Sequence, residues 1–137
     1  MSARTKARKR ALDILFAADV RGVPVADVLV DEAARAASEP DRQASWLYAR
    51  EIVDGFIDHQ AEIDETIQSY ARGWTLERMP AVDRAMLRVA IWELQYESGV
   101  PASVVISEAV ELATELGSDD SPRFINGLLG AVSGTIS

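Results

Sequence analysis

Apolar residues recur along this chain at helical spacing, and no segment alternates convincingly with period two. Over 5–21, Ala11, Leu12, Leu15 and Ala18 share one side, and Gly22-Val23-Pro24 ends the segment. A second helix is expected over 26–37, with Val28, Leu29, Ala33 and Ala36 as its apolar positions. Beyond Glu39-Pro40 the stripe Ala44, Leu47, Tyr48, Ile52, Gly55 and Phe56 predicts a third, and Ile63, Ile67 and Tyr70 a fourth, with a soft break over 59–62. The stretch "RGWTLERMP" joins two halves, about 1–73 and about 74–137, with Thr75 as the expected N-cap of one helical turn.

Pro80 opens the longest helix, expected over 80–97. Met86, Val89, Ala90 and Glu93 lie on one side of it, and Leu87, Ile91 and Leu94 on a neighbouring strip. So wide an apolar surface suits a central helix. After Gly99-Val100-Pro101, Ile106, Ala109, Val110, Ala113 and Leu116 mark the next helix, stopped by Gly117. Ser121-Pro122 reads as N-cap and first helical position of the last, whose face is Phe124, Ile125, Leu128, Leu129 and Val132. The expected class is all-α, with about seven helices. A chain of 137 residues, 48% of them hydrophobic, fits one domain with a core of its own.

Charge changes the picture at one end. Arg4, Lys6, Arg8, Lys9 and Arg10 stand in the first ten residues with no acid among them, although the chain carries a net charge of −8. The other 127 residues hold nine basic against 22 acidic side chains, a net of −13. Positive charge at a helix N-terminus opposes the macrodipole, so these residues do not help the first helix to form. They are either a solvated end or an arm for phosphates. Phe16 lies on the same strip as Lys9, where a ring beside cations suits a stacked base of single-stranded nucleic acid. The other reading of Phe16 continues a row of Leu12, Phe16 and Val20 packed on a neighbouring helix. An acidic body confines a polyanion to a local basic patch and favours a basic protein partner.

Candidate chemistry is sparse elsewhere. There is no cysteine for a disulfide or thiolate site, and one histidine, His59, is little to build a metal site from. Asp13 and Asp19 interrupt the first apolar run, which argues against a signal peptide, and the expected compartment is the cytoplasm. No GxxxxGK[ST], GxGxxG after a strand, or GxSxG is present, so no cofactor and no enzyme activity are expected. Asp119-Asp120 precede a helix start, where the dipole favours acids without any catalytic role.

The blocks "VDRAMLRVAIWEL" (82–94), "VPASVVISEAVELATELG" (100–117) and "DSPRFINGLLG" (120–130), together with "ARKRALDILF" (7–16), resemble the NusB family of transcription antitermination factors. Residues 25–60 carry little of the signature, and Ser107 and Phe16 stand where the family tends to have asparagine and tyrosine. The resemblance implies two small helical bundles packed as one domain. It also implies binding to the boxA element of nascent ribosomal RNA, in company with the small-subunit ribosomal protein also called NusE, on RNA polymerase, with support for ribosome assembly. Carried over by position, the RNA surface would include Arg4, Lys6, Arg8 and Phe16 with Asp120 and Phe124; Lys9 and Arg10 extend the same basic block. Asp83 would face the protein partner as a rim charge. Arg88, Glu93 and Glu108 also match the family and are read as one buried network, an arginine between two glutamates, in preference to an RNA contact by Arg88. Other readings are a NusB-like accessory domain of RNA cytosine methyltransferases, a homodimeric helical scaffold, and a helix-turn-helix regulator, for which no second basic recognition helix stands out.

Overall fold

The computed structural model describes residues 2–97 and 99–136, with side chains described as far as residue 134. Its helices are α1 (Ala3–Arg21), α2 (Val25–Ala37), α3 (Gln43–Asp58), α4 (Gln60–Tyr70), α5 (Ala81–Tyr96), α6 (Ala102–Leu116) and α7 (Ser121–Ile136). Single 3-10 turns at Pro40–Arg42 and Leu76–Arg78 precede α3 and α5. No strand occurs among the described residues.

Helix ends follow local chemistry. Ser2 caps α1, its hydroxyl accepting from the Thr5 N–H at 3.1 Å, and Gly22 ends it in the left-handed region at φ 68°. Pro24, Pro80 and Pro101 each stand immediately before a helix, where a missing N–H costs nothing. Two expected caps differ. Thr75 precedes its turn without a side-chain bond, and Ser121 begins α7 while its hydroxyl turns elsewhere.

α5 is the central helix. It packs against α1, α3, α4, α6 and α7, burying Met86, Leu87, Val89, Ala90, Ile91 and Trp92. α1 in turn contacts α2, α3 and α5, so α1 and α5 join the group α1–α3 to the group α5–α7. Buried residues from all seven helices form one apolar cluster.

Where α3 crosses α5, Gly55 lies directly against the Trp92 indole, and a Cβ there would overlap Nε1, Cε2 and Cδ1 of that ring. Gly55→Ala is therefore expected to destabilise the fold by about 1–3 kcal/mol, because the overlapping atoms belong to a buried ring with no room to swing away. A fall in the urea midpoint at unchanged m-value checks this; an unshifted midpoint shows that the helices separate freely at this crossing.

Candidate nucleic-acid interface

The five basic residues of α1 divide between inside and outside. Arg8 is 3% exposed and its guanidinium grips Glu93 with two bonds, Nε to Oε1 at 2.6 Å and Nη2 to Oε2 at 2.9 Å. Nη1 reaches Glu108 at 3.1 Å, and Thr5 donates to that same oxygen at 2.6 Å. Tyr48 of α3 donates to Glu93 at 2.8 Å. Burial works against the guanidinium charge, but the Glu93 hydrogen bond and the charges of Glu93 and Glu108 outweigh it, and the pKa of Arg8 rises. The Tyr48 hydroxyl is pushed up by burial first and by Glu93 next.

The expected arginine between two glutamates thus exists, but Arg8 fills the place assigned to Arg88. Arg8 leaves the proposed RNA surface, since its nitrogens are engaged inside the protein. Arg88 instead makes two bonds to Asp64, at 2.9 and 3.0 Å, and stands over the Phe56 ring. Arg84 beside it binds Asp19 at 2.6 Å and the Leu76 and Met79 carbonyls.

The outward residues are Arg4, Lys6, Lys9 and Arg10. Arg4 lies 4.5 Å above the Tyr48 ring and Arg10 lies 5.8 Å from the Trp46 ring, donating to Ser45 at 3.2 Å. Neither they nor Lys6 has an acidic partner: Arg4, Lys6, Arg10, Arg21, Arg72, Arg78 and Arg123 are the described basic residues that enter no ion pair. Lys9 meets Glu115 at 2.9 Å on an open surface, where such a pair holds its members weakly. Between α1 and the start of α3 runs a groove of about 290 Å³ lined by Lys6, Lys9, Arg10, Arg42, Asp13, Asp41 and Ser45.

Tyr48 and Trp46 were not read as site residues from the sequence. Both are buried on α3, two residues apart and so on opposite flanks of its inward side, and their contact with Arg4 and Arg10 arises only when α3 packs beside α1. Phe16 is half-buried against the core, between its two expected roles. Asp120 is exposed ahead of α7, and Phe124 on the first turn of α7 is half-buried with its ring 5.5 Å from that of Trp74.

Asp83 is placed differently from expectation. It is 3% exposed, and it accepts the Ser121 hydroxyl at 2.7 Å. Ser121 in turn accepts from the Ser118 N–H at 3.0 Å. A carboxylate so enclosed cannot act as a rim charge. It ties the start of α5 to the start of α7.

Across the described residues the class is a helical protein whose first helix carries outward cations without acidic partners, two of them against aromatic rings. Its described residues include no cluster of three His, Cys, Asp or Glu side chains for a metal, and no helix long and apolar enough to cross a membrane. The chain belongs to the NusB family, whose model matches residues 5–134. It is 66% identical over 133 residues to the transcription antitermination protein NusB of Leifsonia xyli subsp. xyli, covering 97% of this chain and 92% of that one. Among solved structures, T. maritima NusB matches with a TM-score of 0.83 at 30% identity, over 98% of this chain and 92% of that chain. A crystal structure of the antitermination factors NusB and NusE in complex with dsRNA matches with a TM-score of 0.83 at 26% identity, over 98% of each chain.

Burial raises the Asp83 pKa, and the Ser121 hydrogen bond offsets only part of the effect. The folded state therefore holds that proton more tightly than the unfolded chain does. Stability from this site is present at low pH and lost as pH rises through the raised value. Asp83→Asn keeps an acceptor for Ser121 and carries no charge, so the variant is expected to match or exceed the wild type in stability at about pH 7, with the gap closing toward about pH 4 and below. Urea unfolding at both pH values checks this. A variant less stable by more than about 1 kcal/mol at neutral pH would show that the charged hydrogen bond outweighs desolvation.

Proposed function

We propose that this chain is a non-catalytic, RNA-binding transcription antitermination factor of ribosomal RNA operons. It binds the boxA element together with the basic ribosomal protein also called NusE, as part of the RNA polymerase antitermination complex in the cytoplasm. The observation that carries the reading is the division of α1: one arginine is buried in the fold while Arg4, Lys6 and Arg10 stand outside without acidic partners, two of them against aromatic rings. Unpaired cations on an acidic protein are a local exception that repels basic surfaces and attracts phosphates. The family membership and the likeness to the NusB–NusE structure with dsRNA support the same reading.

Within it, Arg4, Lys6 and Arg10 bind phosphates, and Lys9 joins them by exchanging Glu115 for the strand. Phe16, Asp120 and Phe124 shape the remainder of the RNA surface. Asp83 positions α7 and does not itself meet the protein partner.

Arg4, Lys6 and Arg10, at roughly −0.7 per contact with a single strand, together contribute about −2 to the slope of log K against log salt. Replacing Arg4, Lys6 and Arg10 together by alanine is expected to remove that part of the slope while leaving the far-ultraviolet helical signal intact. Fluorescence titration with boxA RNA over a range of salt measures it. An unchanged slope and affinity would return these residues to the status of a solvated helix end.

A further inference from the structure

Away from the α1 edge, an exposed aromatic ring and unpaired arginines coincide at a second place. Trp74 is 49% exposed, whereas Trp46 and Trp92 are each 5% exposed. The Trp74 ring is tilted by 36° to that of Phe124, so the first turn of α7 supports the indole on one side.

The backbone is shaped to hold this ring out. Arg72 and Gly73 both lie in the left-handed region, at φ 42° and 85°, which is unfavourable for an arginine. Gln68 of α4 closes the turn, its amide nitrogen donating to the Trp74 carbonyl at 3.4 Å and its oxygen accepting the Leu76 N–H at 3.2 Å. A side chain left half in water gains little from the core, so packing does not account for a strained turn that presents it.

Charge indicates the occupant. Arg72 sits in that turn, Arg78 in the 3-10 turn after it and Arg123 beside Phe124; all three are exposed and enter no ion pair. Glu77 lines the groove toward Arg84 and Arg88, and Asp119 and Asp120 precede α7, whose N-terminus favours negative charge. Three free guanidiniums disfavour a basic protein on this patch and favour phosphates. A flat ring among them suits an unpaired base, which stacks irrespective of its identity.

We infer that Trp74, supported by Phe124 and accompanied by Arg72, Arg78 and Arg123, is a base-stacking platform for single-stranded RNA. It is a second contact for the strand that α1 holds, and it rests on the RNA-binding reading above. A duplex hides its base faces and gains nothing from the indole.

The test is a titration of the full chain with a single-stranded boxA oligonucleotide, read both by the label on the RNA and by tryptophan fluorescence, the Trp74 signal being taken as the difference between wild type and Trp74→Phe. Wild type is expected to be quenched on binding. Trp74→Ala should weaken binding by roughly 5- to 150-fold, Trp74→Phe should restore most of the affinity without the quench, and the same RNA annealed to its complement should not distinguish Trp74→Ala from wild type. Lys6→Ala is measured in parallel. If Lys6→Ala weakens binding and Trp74→Ala does not, the platform is overturned and the α1 reading stands. If Trp74→Ala spares RNA but weakens binding of the ribosomal protein, the patch is a protein interface and the inference is likewise overturned. If the wild-type chain does not bind the strand, alone or with the ribosomal protein, the parent reading fails and the platform fails with it.

Discussion

The buried bidentate pair between Arg8 and Glu93 is the constraint on which the remaining structure turns. Glu93 lies on the central helix, Arg8 on α1, Glu108 on α6 and Tyr48 on α3, so one cluster of charge-assisted hydrogen bonds draws together four of the seven helices. A charged pair taken out of water is stable only when both members are satisfied, and here the carboxylate oxygens of Glu93 receive Arg8 twice and Tyr48 once. That requirement fixes how far α1 slides along α5 and which of its faces turns outward.

Register is what links the cluster to function. With Arg8 drawn inward, Arg4 comes to rest over Tyr48 and Arg10 beside Trp46, two rings that stand on opposite flanks of the buried side of α3. Tyr48 serves both sides, its hydroxyl on the buried carboxylate and its ring beneath an outward guanidinium. Residues that look like one basic block therefore do two jobs. One cation, Arg8, is locked in the fold, Lys9 meets Glu115 at the surface, and Arg4, Lys6 and Arg10 stand without acidic partners on a protein whose other 127 residues carry a net charge of −13. The pair of Arg84 and Arg88 with Asp19 and Asp64 performs a comparable task at the other end of α1, on a partly exposed edge.

Much of the fold was legible because helical periodicity and proline placement are local signals. The central role of α5 followed from its broad apolar surface, and the end of α1 from Gly22. The site was legible less evenly. Arg8 was read with its basic neighbours, yet it lies four and seven residues before Leu12 and Leu15, on their buried face. Asp83 stands three, four and seven residues before Met86, Leu87 and Ala90, and for the same reason points inward. In both cases the family resemblance implied a surface role and helical position contradicted it. The exchange of Arg88 for Arg8 had no such local signal, since Arg8 meets Glu93 and Glu108, and Arg88 meets Asp64, only once the helices are packed. The rings under Arg4 and Arg10 were hidden similarly, because the contact joins residues far apart in the chain.

The claim that one buried ion pair sets the register of α1 is tested most directly by a double-mutant cycle on stability. Urea unfolding of Arg8→Met, Glu93→Leu and the double variant supplies it. Arg8→Met leaves the buried Glu93 charge with only the Tyr48 hydroxyl and Glu93→Leu leaves the buried Arg8 charge with only Glu108, so each is expected to cost about 3–5 kcal/mol, whereas the double change removes both charges and should cost far less than the two added together. Costs that add to within about 0.5 kcal/mol, or single changes below about 1 kcal/mol, would contradict the account and leave α1 held by its apolar face alone.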